Sequence, residues 1–298
     1  MSVNLPTHFV QQYSTNIAML LLQQKGSKLR GTVNVGSHVG KQASPVDQIG
    51  KVEMQTVNSR FAPMGRVDAP TDRRWVFPTD FDLPQLIDEF DKLRLITDPS
   101  SAYVQNAVMA AGRQMDRLII GSFLGTAKTG ENGGTSTSFT AANEVDVAVG
   151  GANSKLNVAK LKAVKELMMS KFIDFESEEV YVGITAADHA SLLNDIQVIS
   201  LDFNSTPVLQ NGRVTEFLGF KFIHNELIEA QLAGTNEVTL PVWCKSGMYL
   251  GLWNDVENSV SKRNDLQGEP WQVYTKMTAG ATRLEEDKVF AIESYRAS

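Results

Sequence analysis

The sequence predicts an α+β fold, in which helices and strands are mixed without a regular βαβ rhythm. Three observations lead there. The stretch 99–124 carries apolar residues at helical spacing, strand-like segments flank it on both sides, and 157–260 interleaves helix and strand signals over a domain's length. The 298 residues are 42% hydrophobic, enough to bury a core without disulfides or a structural metal. At roughly 150 residues per domain, about two domains are expected.

Composition removes several function classes. Net charge is −6, from 28 basic and 34 acidic residues, whereas a chain that neutralises many phosphates carries a basic surplus. Cys244, the one cysteine, has no disulfide partner and no second thiolate for a metal, which fits a reducing compartment. The apolar run 17–22 is too short to span a bilayer and lacks a basic segment ahead of it. Neither membrane span nor signal peptide is expected, and the protein reads as cytosolic in origin.

Taken in order, residues 1–46 hold Lys25, Lys28, Arg30 and Lys41 but no acidic residue. Phe9, Tyr13, Ile17 and Leu20 lie on one face of a helix expected from about Thr7 to Gly26. This arm either docks on the body or reaches a neighbouring subunit or nucleic acid; four positive charges do not decide. Residues 46–79 read as a long hairpin. Val52, Met54 and Thr56 alternate with polar neighbours, Pro63, Gly65 and Pro70 punctuate the tip, and Arg73–Pro78 returns. A lone hairpin is marginal in water, so it folds back on its own domain or is completed by another chain.

Leu83, Leu86, Ile87, Phe90 and Leu93 are spaced for a short helix. Asp98-Pro99 then opens the long one, with a capping carboxylate and proline at the first helical position. Its stripe is Val104, Val108, Ala111, Met115 and Leu118, and from 99 to 124 it spans roughly 35–40 Å. Residues 125–154 turn to Gly, Ser, Thr, Ala and Asn; an exposed insertion is expected there, with short strands near Phe139 and Val145–Val149. Beyond it come a helix through Val158, Leu161, Val164, Leu167 and Met168, a strand 179–184, a helix capped by Thr185, and a loop 200–214 turning at Asn211-Gly212. Further strands are expected in 217–223, in 240–253 and around Trp271, Val273, Val289, Ala291 and Glu293.

Signals for chemistry are weak. Gly121 to Thr129 has the outline of a phosphate-binding loop, but two residues separate Gly125 from Lys128 and the segment follows a helix. Gly36-Ser37-His38-Val39-Gly40 lacks a preceding strand. His8, His38, His189 and His224 show no metal-ligand spacing, and Asp188, His189 and Ser191 point apart on one helix. The run Asp174, Glu176, Glu178 and Glu179 reads as solvated surface. No catalytic, cofactor or metal residue is expected.

Specific strings carry more. Arg66-Val67-Asp68, Asp72 to Asp80 (DRRWVFPTD), Leu86-Ile87-Asp88, Asp91 to Arg94, Asp98-Pro99, Gln105-Asn106-Ala107, Gly125 to Gly133 and Val289 to Ser298 together closely resemble one group of major capsid proteins of tailed double-stranded-DNA bacteriophages. They cover roughly a third of the chain; the rest agrees in element order only. The resemblance implies the Hong Kong-type capsid fold. Residues 1–45 would be an N-terminal arm, 46–80 an extended loop across a neighbour, and 81–154 with 256–298 a peripheral domain whose spine helix is about 99–124 and whose insertion is 125–154. Residues 155–255 would be an axial domain.

The implied function is self-assembly, as pentamers and hexamers, into an icosahedral shell around double-stranded DNA bound without sequence specificity. Inter-subunit contacts are expected at Arg60, Arg66, Arg73, Arg74 and Trp75. Implied partners are copies of the chain, a separate scaffolding protein (the chain starts directly with the arm), a portal protein and possible cementing proteins, with assembly in the host bacterial cytoplasm. Some relatives join subunits through a loop lysine, but no lysine lies between Lys51 and Lys92, so an uncross-linked shell is expected. Two other readings stand beside this one: a nanocompartment shell of the same fold with enzyme cargo, and a ligand-binding enzyme using Lys128.

Overall fold

The computed structural model describes residues 26–40, 44–56, 65–87, 100–195, 209–210 and 213–296. In chain order they form β1 (Asn34–Ser37), β2 (Ser44–Ile49), β3 (Thr71–Val76), β4 (Thr79–Ile87), α1 (Ser100–Leu124), β5 (Ala127–Thr129), β6 (Thr135–Thr137) and β7 (Glu144–Val145). There follow α2 (Val158–Ser170), β8 (Val180–Ile184), α3 (Ala186–Leu193), β9 (Leu209–Gln210), β10 (Arg213–Val214), β11 (Glu216–Phe217) and β12 (Phe220–His224). The last elements are α4 (Leu227–Leu232), β13 (Glu237–Cys244), β14 (Met248–Lys262), β15 (Trp271–Arg283) and β16 (Val289–Tyr295). The expected arm helix, Arg60, the 98–99 cap and the Asn211-Gly212 turn lie outside the described residues.

Among the described residues three larger sheets organise the molecule, beside the small pair β9–β10. One runs β1-β14-β15-β4, a six-stranded one runs β11-β12-β8-β13-β16-β7, and a third runs β2-β3-β5-β6. The long helix α1 packs along β15 and β14 and meets α4 near its other side. Trp243 is fully buried where these layers converge. Its ring lies 4.5 Å from that of Phe123 at the end of α1 and stacks 5.9 Å from that of Tyr181 on β8. Its indole N–H donates to the Thr32 carbonyl at 3.0 Å, so one side chain joins the helix, the six-stranded sheet and the segment leading out of the arm.

The 99–124 helix forms as expected, but its buried line is shifted. Ala107, Met115, Ile119, Ile120 and Phe123 are buried while Val108 is exposed, because the C-terminal half of α1 enters the main core instead of lying on one sheet. Local signals hold in the 157–260 region. Asn157 caps α2 by accepting from the Lys160 N–H at 2.9 Å, and Thr185 and Asp188 form a reciprocal capping box on α3.

Three expectations are corrected. The helix expected over 83–93 is a strand as far as Ile87, paired with β15 from Trp271 to Ala279; Phe90 and Leu93 lie outside the described residues. Phe81, Leu83, Gln85 and Ile87 turn inward, whereas Asp80, Asp82, Pro84 and Leu86 face out. The spacing of Leu83, Leu86 and Ile87 suits either period. Pro84 is tolerated because β4 is an edge strand.

Segment 125–154 is not a free-standing insertion either. Its hairpin is β5–β6, extending the sheet of β3, while β7 pairs in parallel with β16. Phe139 lies outside any strand, and in 145–149 only Val145 is paired.

The last strand, finally, joins the sheet of 155–255 rather than that of β15. β16 pairs with β13 from Glu237 to Trp243, and both read as near-continuous apolar runs, as strands buried on two faces do. The expected boundary at 255/256 falls inside β14.

Candidate assembly surface

The hairpin of β2 and β3 pairs Ser44–Ile49 with Thr71–Val76 and continues through 50–56 and 65–70. Ile49, Val52, Met54 and Val67 are exposed there, Met54 completely. Nothing in the chain's own described body covers them. Among the expected contact residues, Arg66 stands in solvent, paired with its neighbour Asp68 at 2.6 Å. Arg73 pairs across the hairpin with Asp47 and lies over the Trp75 ring at 5.9 Å. That carboxylate raises the affinity of Arg73 for its proton.

Trp75 and Arg74 are turned inward. The Trp75 N–H donates to the Gly130 carbonyl at 2.7 Å. Arg74 is buried, with Nη1 3.4 Å from Glu286, whose other oxygen accepts from the fully buried Arg283 at 2.6 Å. Arg283 also donates to the carbonyls of Phe123 at 2.6 Å and Gly125 at 2.9 Å, satisfying acceptors at the end of α1. This Arg–Glu–Arg group fastens the root of the extended loop to the helix and to β15. Substituting Arg74 therefore damages the subunit itself as well as any contact it makes outside.

A second fastening holds the root of the arm. Asp116, fully buried on α1, accepts from the Ser27 hydroxyl at 2.5 Å, the Lys28 and Leu29 N–H groups at 3.1 Å each, and the Asn225 amide at 2.9 Å. The backbone of the arm comes so close that a β-carbon on Gly112 would lie 2.5 Å from Gly26. Arg30 adds a two-pronged pair with Asp255, 2.6 Å at its shorter contact. Sequence reading missed Asp116: a lone aspartate in a helix gives no hint that its partners lie about 90 residues away.

The chemical candidates are accounted for structurally. Lys128 lies on β5 and donates to Ser136 at 2.7 Å, while Gly121 and Gly125 sit at the C-terminal end of α1, where carbonyls rather than amides point outward. Glu179 pairs with Lys221 and Lys245, and Lys221 above all, helped by the Tyr181 hydroxyl, lowers it to about 2. Glu178 pairs with Lys288. Asp188 is tied to Thr185, Ser294 and Arg296, and His189 accepts from the Val214 N–H at 3.3 Å, so no relay forms. Among the described residues no cluster of His, Cys, Asp and Glu could hold a metal, and no helix is long and apolar enough to cross a membrane.

A two-sheet body strutted by one long helix, with an arm and an extended loop rooted in buried charged groups, is the design of a shell-building subunit with the Hong Kong-type capsid fold. Solved phage capsids share it. The capsid of cyanophage P-SCSP1u superposes with a TM-score of 0.73 at 14% identity over 97% of this chain and 93% of that one. For the cyanophage Pam1 capsid the values are 0.72, 12%, 100% and 99%; for the Ralstonia phage GP4 capsid, 0.68, 9%, 97% and 95%. A search of curated protein sequences found no match. The family model described as "Phage capsid protein" matches residues 5–295: the chain belongs to the phage capsid protein family. It is a major capsid protein, a structural component of the virion shell that assembles with copies of itself.

Proposed function

We propose that copies of this chain associate as pentamers and hexamers into an icosahedral shell around a double-stranded DNA genome. The observation that carries the reading is the β2–β3 loop, which projects exposed apolar side chains at Ile49, Val52 and Met54 and has a root built too firmly to be a casual excursion. In this reading the loop lies across a neighbour. The sheet of β14 and β15 with α1 acts as the peripheral domain, and the six-stranded sheet, including β16, as the axial domain. Arg66 and Arg73 are the loop cations available to a neighbour's acidic groups. Many modest contacts suffice, because closure makes them multivalent. The net charge of −6 suits a lining that releases DNA again.

A separate scaffolding protein, a portal and assembly in the host bacterial cytoplasm belong to the same proposal. Negative-stain electron microscopy with sedimentation, after expression with and without the genomic neighbours, tests it. Closed shells, or rings of five and six, are expected; shells only with the neighbours would point to an external scaffold. A stable monodisperse 33-kDa species under both conditions would overturn the assignment.

A further inference from the structure

Helix α2 ends in a way its sequence does not favour. The Ile173 N–H bonds to the Met168 carbonyl at 3.1 Å and the Phe172 N–H to that of Met169 at 3.0 Å. Together they form the paired Schellman closure of a helix C-terminus. The closure requires a left-handed residue at the position Phe172 occupies, and Phe172 has φ +62°. Glycine takes that conformation freely, whereas a residue with a β-carbon, above all a bulky one, is strained there.

Among the described residues no side chain packs over the Phe172 ring except Lys51. Met168 and Ile173, the positions whose apolar contact usually accompanies this motif, both belong to the core packing. The Phe172 ring itself is 91% exposed, and Met169 one turn back is 59% exposed. A helix end that needs glycine thus carries an aromatic ring held out into water. The only described group over the ring is the Lys51 ammonium, 5.9 Å from its centroid, and Lys51 stands at the start of the projecting part of the extended loop.

We infer that Phe172, with Met169 beside it, is a contact knob for a second copy of this chain, continuous with the surface at the base of the extended loop. The partner is a second copy because the chain belongs to a shell-forming family and because the loop assigned above to inter-subunit contact passes over the same ring. The inference rests on that reading. The left-handed backbone places the β-carbon outward from the helix end, and a neighbour that covers the ring takes its apolar surface out of water. Burying a phenylalanine at such a contact corresponds to roughly tenfold or more in the affinity of each contact.

The test uses the full chain and two variants. Phe172→Gly removes the ring and relieves the backbone: unassembled subunits should melt about 2 °C higher or unchanged, while the concentration needed for shell formation rises by roughly tenfold or more. Phe172→Leu keeps the strain and restores apolar bulk, and should recover most of the assembly. Wild-type shells alongside Phe172→Gly shells at the same threshold would overturn the inference and leave the capsid assignment standing. Failure of the wild type to form any shell, with its genomic neighbours as well as without them, would overturn both. A glycine variant that melts well below the wild type would show that the ring serves the subunit, and would also refute the proposal.

Discussion

Replacing Asp116 by alanine should loosen the root of the arm, and the structure sets the size of the effect. The carboxylate accepts hydrogen bonds from Ser27, Lys28, Leu29 and Asn225. Two of these donors, the Leu29 N–H and the Asn225 amide, are buried with it. A buried donor left without an acceptor costs about 1–3 kcal/mol, so two of them amount to roughly 2–6 kcal/mol. The donors of Ser27 and Lys28 lie nearer solvent and recover partners in water, so they add little. At about 2–4 °C per kcal/mol for a large domain, the melting temperature of unassembled subunits should fall by roughly 4 °C or more. Hydrogen exchange should accelerate at Lys28 and Leu29 before it does in β13 or β16. Asp116→Asn keeps one acceptor and should lose about half as much. A drop below about 2 °C for the alanine variant, or exchange that rises uniformly, would refute the reasoning.

Four further outcomes are expected. Burial, with Glu293, Asp146 and Glu237 nearby, raises the pKa of Glu144 above the ordinary 4.5. The stability it contributes is therefore fully present below 4.5 and lost as pH rises through the raised value. Glu144→Gln should raise the urea midpoint at pH 7.5 and flatten its change between pH 7.5 and 5, and an unchanged slope would count against this. Burial pushes the Cys244 thiol up to about 12 from 9.0, so a thiol reagent should label no native subunit and one site per unfolded chain. Glu286→Gln leaves Arg74 and Arg283 without their shared counter-charge and should cost about 3–5 kcal/mol in thermal or urea unfolding. Finally, purified shells boiled in denaturant should run as a single 33-kDa band, and a covalent ladder on that gel would contradict an uncross-linked loop.

What could be read from the sequence depended on how far apart the determinants lie. The start of α3 was legible because Thr185 and Asp188 form a cap three residues apart, whereas the cap of α2 by Asn157 went unread although it too is local. The strand β4 was misread because Leu83, Leu86 and Ile87 fit both periods, and only β15, nearly 190 residues on, decides between them. The outer half of β14, with the polar stretch 254–262, gave no strand signal because most of it faces solvent. β16 was recognised as a strand but assigned to the wrong sheet, since an apolar run announces burial and not its partner. For the assembly surface, the loop and its arginines stood out in the sequence. That Arg74 faces Glu286, and that Asp116 holds the arm, follow only from tertiary packing.

The two buried fastenings lie on one mechanical line. A wall made of such subunits is stretched whenever its contents push outward, and the pull enters each molecule through its projecting parts. From the arm, force passes at Asp116 into α1, runs along the helix to the carbonyls of Phe123 and Gly125, and crosses through Arg283 and Glu286 to Arg74 at the root of the loop. No surface turn has to carry it. The long helix is thus a tie rod pinned near its middle and at its end. The longest contact on that line is the 3.4 Å approach of Arg74 to Glu286.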